Sequence, residues 1–376
     1  MNSPAPTNKI GFCFLAHQAH TRHQLPIAAH LSFFSGYIVE LIVTTETTLN
    51  DLNSLLLQYP GHRCVIRFIR GAKVKTWLGR LKGRLYPNIR NVINNNEALF
   101  LSYDILVTPH ANLDAVFKLD ENRKIKYVCT FHGAGDGDIG FDKAFSEYDL
   151  LLTSGTDVDE RLRLERVVHG RNSSVIIGYP KFDLVRAVGQ KLFDNDNTVF
   201  VYNPHYAKHL TSWDMYGHAV LGFFTKNPQY NLVFAPHIKV FDAHMPRELN
   251  RYEQYSNIIV DISSDKLMDA TYTREADVYI GDVSSQVYEF LYFALKPVIF
   301  INAFNSGSWE DNPSLQMWKM GIVVNEISGL PEALVNARLS HARFIGVQRA
   351  LIERKFSKAE VCPGLMGAQA IAHYAS

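Results

Sequence analysis

The chain contains few cysteines and has almost no net charge. Its 376 residues include four cysteines, none of them in a CxxC spacing, and the formal net charge is +1. Cysteines scattered in this way indicate free thiols in a reducing compartment rather than a disulfide framework. A net charge so close to zero gives no overall field that would attract nucleic acid. We therefore expect a cytoplasmic protein with no nucleic-acid partner.

Long apolar runs are also missing. The longest apolar stretch, residues 287–301, is interrupted by Glu289, Lys296 and Pro297. It falls short of the roughly 18–20 clean apolar residues of a membrane-spanning helix. The first residues lack the charged start and apolar run of a secretory signal. We expect no spanning segment, so that any contact with a membrane would be peripheral.

The chain does contain two series of short apolar segments that alternate with helix-forming segments. Its composition, 47% apolar and 20% charged, is that of a soluble globular protein, and its length favours two domains. Strands alternating with helices predict parallel sheets. The predicted fold class is therefore α/β, with two Rossmann-like domains facing each other across a cleft, as in the GT-B architecture. The domains are placed at residues 1–185 and 198–345, with a helical tail, residues 346–376, packing back on the first.

The predicted strands follow from these apolar segments. In the first domain they are residues 9–15, 37–44, 64–69, 103–109, 125–131, 148–153 and 174–177. In the second domain they are residues 198–202, 231–234, 257–261, 278–280 and 298–301.

A histidine stands at the end of the fifth predicted strand. Residues 127–131 lead into His132 and Gly133, and the loop that follows contains Asp136 and Asp138. Ligands bind at the carboxyl ends of strands in open α/β sheets, and glycines let a backbone approach them closely. His132 is therefore the candidate general base, and the two loop carboxylates compete for that role. The alternative is that these are only strand-end and turn residues.

A second group of histidines follows the first strand, in a loop expected to give way to a helix from Pro26. The candidate acceptor-binding residues of this loop are His17, His20, Arg22 and His23. Their spacing resembles that of metal ligands, but no cysteine or close acidic residue joins them. They fit an anionic or hydroxyl-rich acceptor equally well, and we expect no metal.

Residues 70–90 are strongly basic. Apolar residues recur there at helical spacing beside the positive charges, a pattern typical of helices that lie on anionic membranes or bind phosphate-bearing acceptors. The candidate membrane-contact residues are Lys75, Trp77, Arg80, Lys82 and Arg84. A solvated face on an ordinary core helix is the alternative.

Hydroxyl groups precede a predicted helix in the second domain. Asp282, Ser284 and Ser285 follow a short strand, and the helix begins near Gln286. Backbone N–H groups and the dipole at a helix N-terminus favour phosphate. Serine and aspartate also occur at helix starts for structural reasons alone.

Five short motifs, taken in order, resemble those of the CDP-glycerol glycerophosphotransferases, the teichoic-acid primases and polymerases. The matching segments are residues 131–133 (FHG), 178–183 (GYPKFD), 202–204 (YNP), 235–237 (APH) and 281–285 (GDVSS). The match covers about residues 127–300. Two departures are Lys181, where the family has arginine, and His237, which lacks a following proline.

The resemblance implies a metal-independent transferase without a cofactor. It would move a glycosyl or glycerol-phosphate unit from a nucleotide-activated donor, of cytidine type, to a cell-surface glycan or a polyprenyl-diphosphate-linked acceptor at the inner membrane face. The implied donor-binding residues are Gly133, Gly178, Lys181, Asn203, Pro204, His237, Asp282, Ser284 and Ser285, and His237 would also assist catalysis.

Two alternatives remain. The chain also resembles the CMP-sugar transferases of sialic acid or Kdo type, in which Asp136 or Asp138 would be the base. It could instead be a GT-B epimerase or a non-catalytic nucleotide-sugar binder.

Overall fold

A computed structural model describes residues 8–16, 18–71, 87–133, 142–184, 191–241, 245–304, 306–307, 309–358 and 360–376. Several residues singled out from the sequence lie outside these ranges, namely His17, the set Lys75, Trp77, Arg80, Lys82 and Arg84, and the loop carboxylates Asp136 and Asp138. What the sequence indicates for them stays a prediction.

The described residues form two compact units. The first unit contains those between 8 and 133 and between 142 and 184, together with residues from 355 onwards. The second unit contains those between 191 and 354. The chain returns to the first unit at Lys355, whereas the tail predicted from the sequence begins at residue 346.

The first unit is built on seven parallel strands in the order β3-β2-β1-β4-β5-β6-β7. The strands are β1 (Asn8–Phe14), β2 (Tyr37–Val43), β3 (Val65–Phe68), β4 (Ile105–Thr108), β5 (Lys126–Cys129), β6 (Leu150–Thr153) and β7 (Ser173–Ile176). Strands β4 and β6 are buried along their whole length, as expected where helices cover both faces of a parallel sheet. The strand order reverses at β1, which lies between β2 and β4.

The helices of the first unit connect these strands. They are α1 (Thr21–Leu31), α2 (Glu46–Leu56), α3 (Ile89–Asn94), α4 (Glu97–Phe100), α5 (Asp114–Leu119) and α6 (Thr156–Leu164). Short 3-10 helices span Gln18–His20, Lys143–Glu147 and Pro180–Leu184.

The second unit repeats the plan with six parallel strands in the order β10-β9-β8-β11-β12-β13. They are β8 (Val199–Asn203), β9 (Asn231–Phe234), β10 (Ile258–Val260), β11 (Val278–Gly281), β12 (Val298–Ile301) and β13 (Ile322–Val324). The edge strand β13 is absent from the sequence-based prediction. The two parallel α/β sheets confirm the predicted fold class.

The remaining helices complete the second unit and the tail. They are α7 (Trp213–Lys226), α8 (Thr271–Glu275), α9 (Gln286–Phe293), α10 (Leu330–Ser340), α11 (Ile345–Lys355) and α12 (Pro363–Ala375). The 3-10 helices of this part are Arg247–Tyr252, Asp265–Leu267, Trp309–Asp311, Pro313–Met320, Ile327–Gly329 and His341–Arg343. Among the residues that the structure describes, no helix is long and apolar enough to cross a membrane.

Helix α1 begins five residues earlier than the sequence suggests. It starts at Thr21, and Pro26 lies inside it. The polar side chains of its first turn have partners within the unit, so their burial is compensated. The Thr21 hydroxyl donates to the Asp51 carboxylate at 2.5 Å, and Arg22 Nη1 lies 3.1 Å from the same carboxylate. The prediction that Arg22 and His23 lie in a loop was therefore wrong.

Gly178 shows how the tail is held against the first unit. Its φ of +85° is a left-handed conformation that favours glycine. A Cβ there would lie 2.9 Å from Cγ of Pro363 and 3.1 Å from the carbonyl oxygen of Ser357. We expect Gly178→Ala to lower the free energy of unfolding by about 1–3 kcal/mol. Alanine is disfavoured in this backbone conformation, and its methyl group would also lie too close to Pro363 and Ser357. Urea unfolding of the two proteins measures this difference.

Gly170→Ala is the matched control, since a Cβ at Gly170 meets no heavy atom within 4 Å and φ is not positive there. Equal losses of stability for the two variants would contradict the structural role assigned to Gly178.

Candidate active site

Three histidines of the first unit meet at one edge of its sheet. His20 ends the 3-10 helix after β1, His110 follows β4, and His132 follows β5. Strands β1, β4 and β5 are neighbours and parallel, so their carboxyl ends lie side by side. The ring centroids are 3.9 Å apart for His110 and His132, 4.3 Å for His20 and His110, and 4.8 Å for His20 and His132. We call these three residues the histidine cluster.

Hydrogen bonds orient the rings of the histidine cluster. Nε2 of His110 lies 2.8 Å from Nδ1 of His20, so one of these atoms donates a proton to the other. His132 Nδ1 donates to the carbonyl oxygen of Pro109 at 3.0 Å. That contact selects the tautomer of His132 with its lone pair on Nε2. His132 is exposed, whereas His20 and His110 are half-buried.

The backbone beside His132 is strained. Phe131 has a φ of 54°, a left-handed conformation that is costly for a bulky residue. Strain of this kind persists where the surrounding structure imposes it, and it is concentrated at functional sites. Here it turns the chain sharply between the end of β5 and the ring of His132. The next residue, Gly133, is exposed.

Two of the predicted acceptor-binding residues lie inside the protein. Arg22 is 4% exposed and pairs with Asp51, and His23 is 6% exposed. Burial, followed by the charges of Lys181 and His132, holds the pKa of His23 well below its usual range. Both side chains are buried and support the fold of the first unit, and an acceptor contact for them stays a prediction. Of the members of that set that the structure describes, His20 is the one that reaches the candidate site.

Lys181 lies close to the same region. It sits on the 3-10 helix Pro180–Leu184 and is 7% exposed. The Tyr179 ring beside it packs against His23 at 5.2 Å between centroids. The positive charge of Lys181 is therefore held inside the first unit, and a donor contact for it stays a prediction.

Two predicted donor-binding residues of the second unit, Asn203 and Ser284, belong to a buried hydrogen-bond network. Asn203 donates from Nδ2 to the Ala235 carbonyl at 2.6 Å, and its Oδ1 accepts from Tyr279 and from Ser284 at 3.1 and 3.0 Å. Asn203 is 1% exposed and Ser284 is 5% exposed. Their hydrogen-bonding capacity is used within the protein. A direct donor contact for these two side chains stays a prediction.

Asp282 is fully buried and has its own set of hydrogen bonds. Its carboxylate accepts hydrogen bonds from the backbone N–H groups of Ser212 at 2.7 Å, His205 at 2.9 Å and Val283 at 2.8 Å. It also accepts from the Ser212 hydroxyl at 2.9 Å. Burial raises the pKa of Asp282 to about 6, although these donors act in the opposite direction. Asp282 therefore ties the loops after β8 and β11 together, and a donor contact for it stays a prediction.

Aromatic and basic side chains collect where β8 and β9 end. The His237 ring lies 4.6 Å from that of Tyr206 and 5.9 Å from that of His205, and Lys239 Nζ lies 4.9 Å from the Tyr206 ring centre. The His237 N–H donates to the Pro204 carbonyl at 3.1 Å. Burial lowers the pKa of His205 to about 4, so that this imidazole is neutral at pH 7. These rings offer stacking surfaces beside a positive charge.

Ser285 lies at the same sheet edge, directly before α9. It is half-buried and is the N-cap residue of that helix, while the neighbouring Ser284 oxygen accepts from the Gln286 N–H at 3.3 Å. The first N–H groups of a helix attract phosphate. Of the predicted donor-binding residues of this unit, His237 and Ser285 are the ones whose side chains are not buried.

His110 and His205 are site residues that sequence analysis overlooked. Each follows a proline that comes directly after a strand, and His237 follows Pro236, one residue further from its strand. The repeated Pro-His step at residues 109–110, 204–205 and 236–237 was the signal that could have found them.

No protein family and no curated protein matches the chain. Solved structures do match it along almost its whole length. The glycosyltransferase of kitacinnamycin is 13% identical with a TM-score of 0.57, over 99% of this chain and 100% of that one. The MnaA–UDP structure from S. aureus is 12% identical with a TM-score of 0.62, over 98% and 96%. The wall teichoic acid polymerase TagF, soaked with CDPG, is 15% identical with a TM-score of 0.60, over 98% and 88%.

At these identities the likeness concerns the fold. The chain has the GT-B fold, with two Rossmann-like units of seven and six parallel strands.

Proposed function

We propose that this protein is a transferase that moves a glycosyl or glycerol-phosphate unit from a nucleotide-activated donor to an acceptor hydroxyl. The observation that carries the proposal is the position of His132 at the carboxyl edge of the first sheet, with Nδ1 held by the Pro109 carbonyl. An imidazole oriented in this way presents its second nitrogen to a hydroxyl proton.

His132 removes the acceptor proton in this scheme. The acceptor oxygen attacks the anomeric carbon or the phosphorus of the donor, its proton passes to His132 Nε2, and the bond to the departing nucleotide phosphate breaks. Negative charge grows on that phosphate, so a stabilising group is required where it leaves.

The second unit supplies the candidate donor-binding groups. The side chains of His237 and Lys239 can donate hydrogen bonds to phosphate oxygens. The N–H groups at the start of α9 can do the same, and the helix dipole favours a negative charge there. The exposed Tyr206 ring, with Lys239 above it at 4.9 Å, gives a face on which a base can stack. We assign the donor to the cytidine type because of the ordered motifs at residues 131–133, 178–183 and 235–237. The finding that TagF, soaked with CDPG, shares the fold supports this choice.

The acceptor in this proposal is a glycan or a polyprenyl-diphosphate-linked molecule. The basic residues within 70–90 would hold the protein against an anionic inner membrane surface. Their replacement by serine, followed by sedimentation with anionic vesicles, tests this part separately.

An epimerase is the second candidate. The UDP-GlcNAc 2-epimerase of Neisseria meningitidis, 11% identical with a TM-score of 0.57, shares the fold. An epimerase would change a nucleotide sugar without any acceptor.

Thermal unfolding in the presence of CDP-, CMP-, UDP- and GDP-activated donors tests the proposal. A ligand at 100 times its Kd stabilises the folded state by about 2.7 kcal/mol, which raises the midpoint measurably. We expect the cytidine donors to give the largest shift. No shift with any nucleotide contradicts the proposal, and turnover of a UDP-sugar without acceptor favours the epimerase.

We expect Ser285→Ala to weaken donor binding by about 1–3 kcal/mol, the contribution of a hydrogen bond to a charged group. Calorimetric titration with the donor selected by the thermal screen measures the effect. Ser328→Ala, an exposed serine of the same unit, should bind the donor normally. Unchanged affinity in Ser285→Ala would remove Ser285 from the donor site.

A further inference from the structure

The histidine cluster brings together three metal-binding side chains. One ring nitrogen from each of His20, His110 and His132 lies within 4.8 Å of the other two. We propose that the cluster binds one divalent transition-metal ion and that Zn²⁺ fits it best. Binding of the ion does not depend on the proposed transferase activity.

The ligand type favours zinc over the hard cations. Imidazole nitrogen suits zinc, copper, nickel and iron, whereas magnesium and calcium prefer oxygen. Zinc sites with three protein ligands keep a fourth position for water or substrate. His132 is exposed while the other two rings are half-buried, so the fourth position would be open to solvent on the His132 side.

The distances are compatible with a tetrahedral site. Zinc–nitrogen bonds of about 2.0–2.1 Å place two ligand nitrogens roughly 3.3 Å apart. His110 Nε2 and His20 Nδ1 are 2.8 Å apart, and the other separations do not exceed 4.8 Å. The ion would push the first pair apart by about half an ångström and draw His132 inwards. Rotation of the side chains would be enough for shifts of this size.

Contacts around the cluster already orient the rings. Metal-binding histidines usually donate their second N–H to a carbonyl or carboxylate. His132 Nδ1 does so to the Pro109 carbonyl at 3.0 Å. The backbone carbonyl of His110 accepts from the Tyr148 hydroxyl at 2.8 Å, which fixes the loop that carries its ring.

The metal would displace the proton shared by His20 and His110. In the hydrogen bond between His20 and His110 one nitrogen donates to the other. Metal binding needs both lone pairs, so this proton is released or moves to the far nitrogen of its ring. The sequence offered no such site, since His110 was not among the residues considered and no metal was expected.

The zinc form would change how the acceptor proton is removed, and this consequence rests on the proposed transferase activity. Zinc lowers the pKa of a bound water to about 7. A zinc-bound hydroxide would take the acceptor proton and become water, in place of the His132 imidazole. The metal-free protein would use the imidazole.

Metal content provides the test. The full-length protein is freed of metal with a chelator and titrated with ZnCl₂ by calorimetry, and bound zinc is then counted by mass spectrometry. We expect one ion per chain, and Co²⁺ in its place should give the strong visible absorption of a tetrahedral site. Loss of a ligand should cost more than the 10- to 100-fold typical of outer partners. His110→Ala and His132→Ala should therefore each weaken binding more than 100-fold.

His30→Ala and His373→Ala are the controls. His30 belongs to the other group of candidate ligands in the described residues, with Asp183 and Cys362, and His373 is exposed on α12. Zinc binding well below one ion per chain, or binding lost in His30→Ala but kept in His110→Ala and His132→Ala, would overturn the proposal. Nucleotide-induced thermal shifts in the metal-free protein report on the proposed function independently.

Discussion

Replacing His132 by alanine is expected to lower turnover about 10²–10⁴-fold, the range for losing a general base, while donor binding is largely kept. The ring lies in the first unit, at the end of β5, whereas His237, Lys239 and the start of α9, which are proposed to bind the donor phosphates, lie in the second unit. Loss of the ring should therefore reduce kcat and leave the Kd of the donor unchanged. Steady-state rates and calorimetric titration with the same donor measure the two quantities.

His373→Ala controls for the loss of an exposed imidazole in the same unit and should retain full activity. Asp136→Asn and Asp138→Asn test the competing base and should cost much less than His132→Ala. If either aspartate variant is inactive while His132→Ala remains active, the acidic mechanism of the CMP-sugar transferases is the better account. Assays with and without chelator show whether His132 acts as a base or as a metal ligand.

Asp282→Ala should lower the free energy of unfolding by about 3–5 kcal/mol at pH 7, because it leaves several buried donors without an acceptor. The carboxylate is 0% exposed and accepts from backbone N–H groups of Ser212, His205 and Val283. Urea unfolding measures the loss. Asp265→Ala, which removes an exposed carboxylate of the same unit, should change stability by less than about 0.5 kcal/mol.

The same carboxyl group predicts a dependence on pH. Its folded pKa of about 6 lies above the ordinary value of 3.8. The folded state therefore binds this proton more tightly, and the contribution of Asp282 to stability falls as the pH rises from about 4 to about 6. A difference of about two pKa units corresponds to about 3 kcal/mol. The pH profile of Asp282→Asn should lack this fall, and parallel profiles of the two proteins would show that Asp282 does not titrate as stated.

Sequence analysis was sufficient for most of the sheet framework. Strands such as β9 and β12 were predicted with their observed ends, because a strand buried on both faces is a short continuous run of apolar residues. The alternation with helices then required parallel pairing, which places the end of every strand at one edge. The position of His132 at that edge follows from these local signals alone.

The sequence-based prediction missed the edge strand β13 and the true start of α1. Pro26 marks a helix start only by its usual preference. What allows α1 to begin at Thr21 is the carboxylate of Asp51, 30 residues further on. Such a partner is visible only in the folded chain.

The direction of polar side chains was likewise decided by tertiary structure. Asn203 and Ser284 are 81 residues apart, and nothing in either segment shows that they bond to each other rather than to a ligand. His20 and His110 are 90 residues apart and meet only because β1 and β4 are neighbours in the sheet. The sequence by itself determined the parallel α/β plan and which residues reach the sheet edge, since both depend on local periodicity. The burial of Arg22 and the convergence of three imidazoles depend on strand order, which only the folded chain establishes.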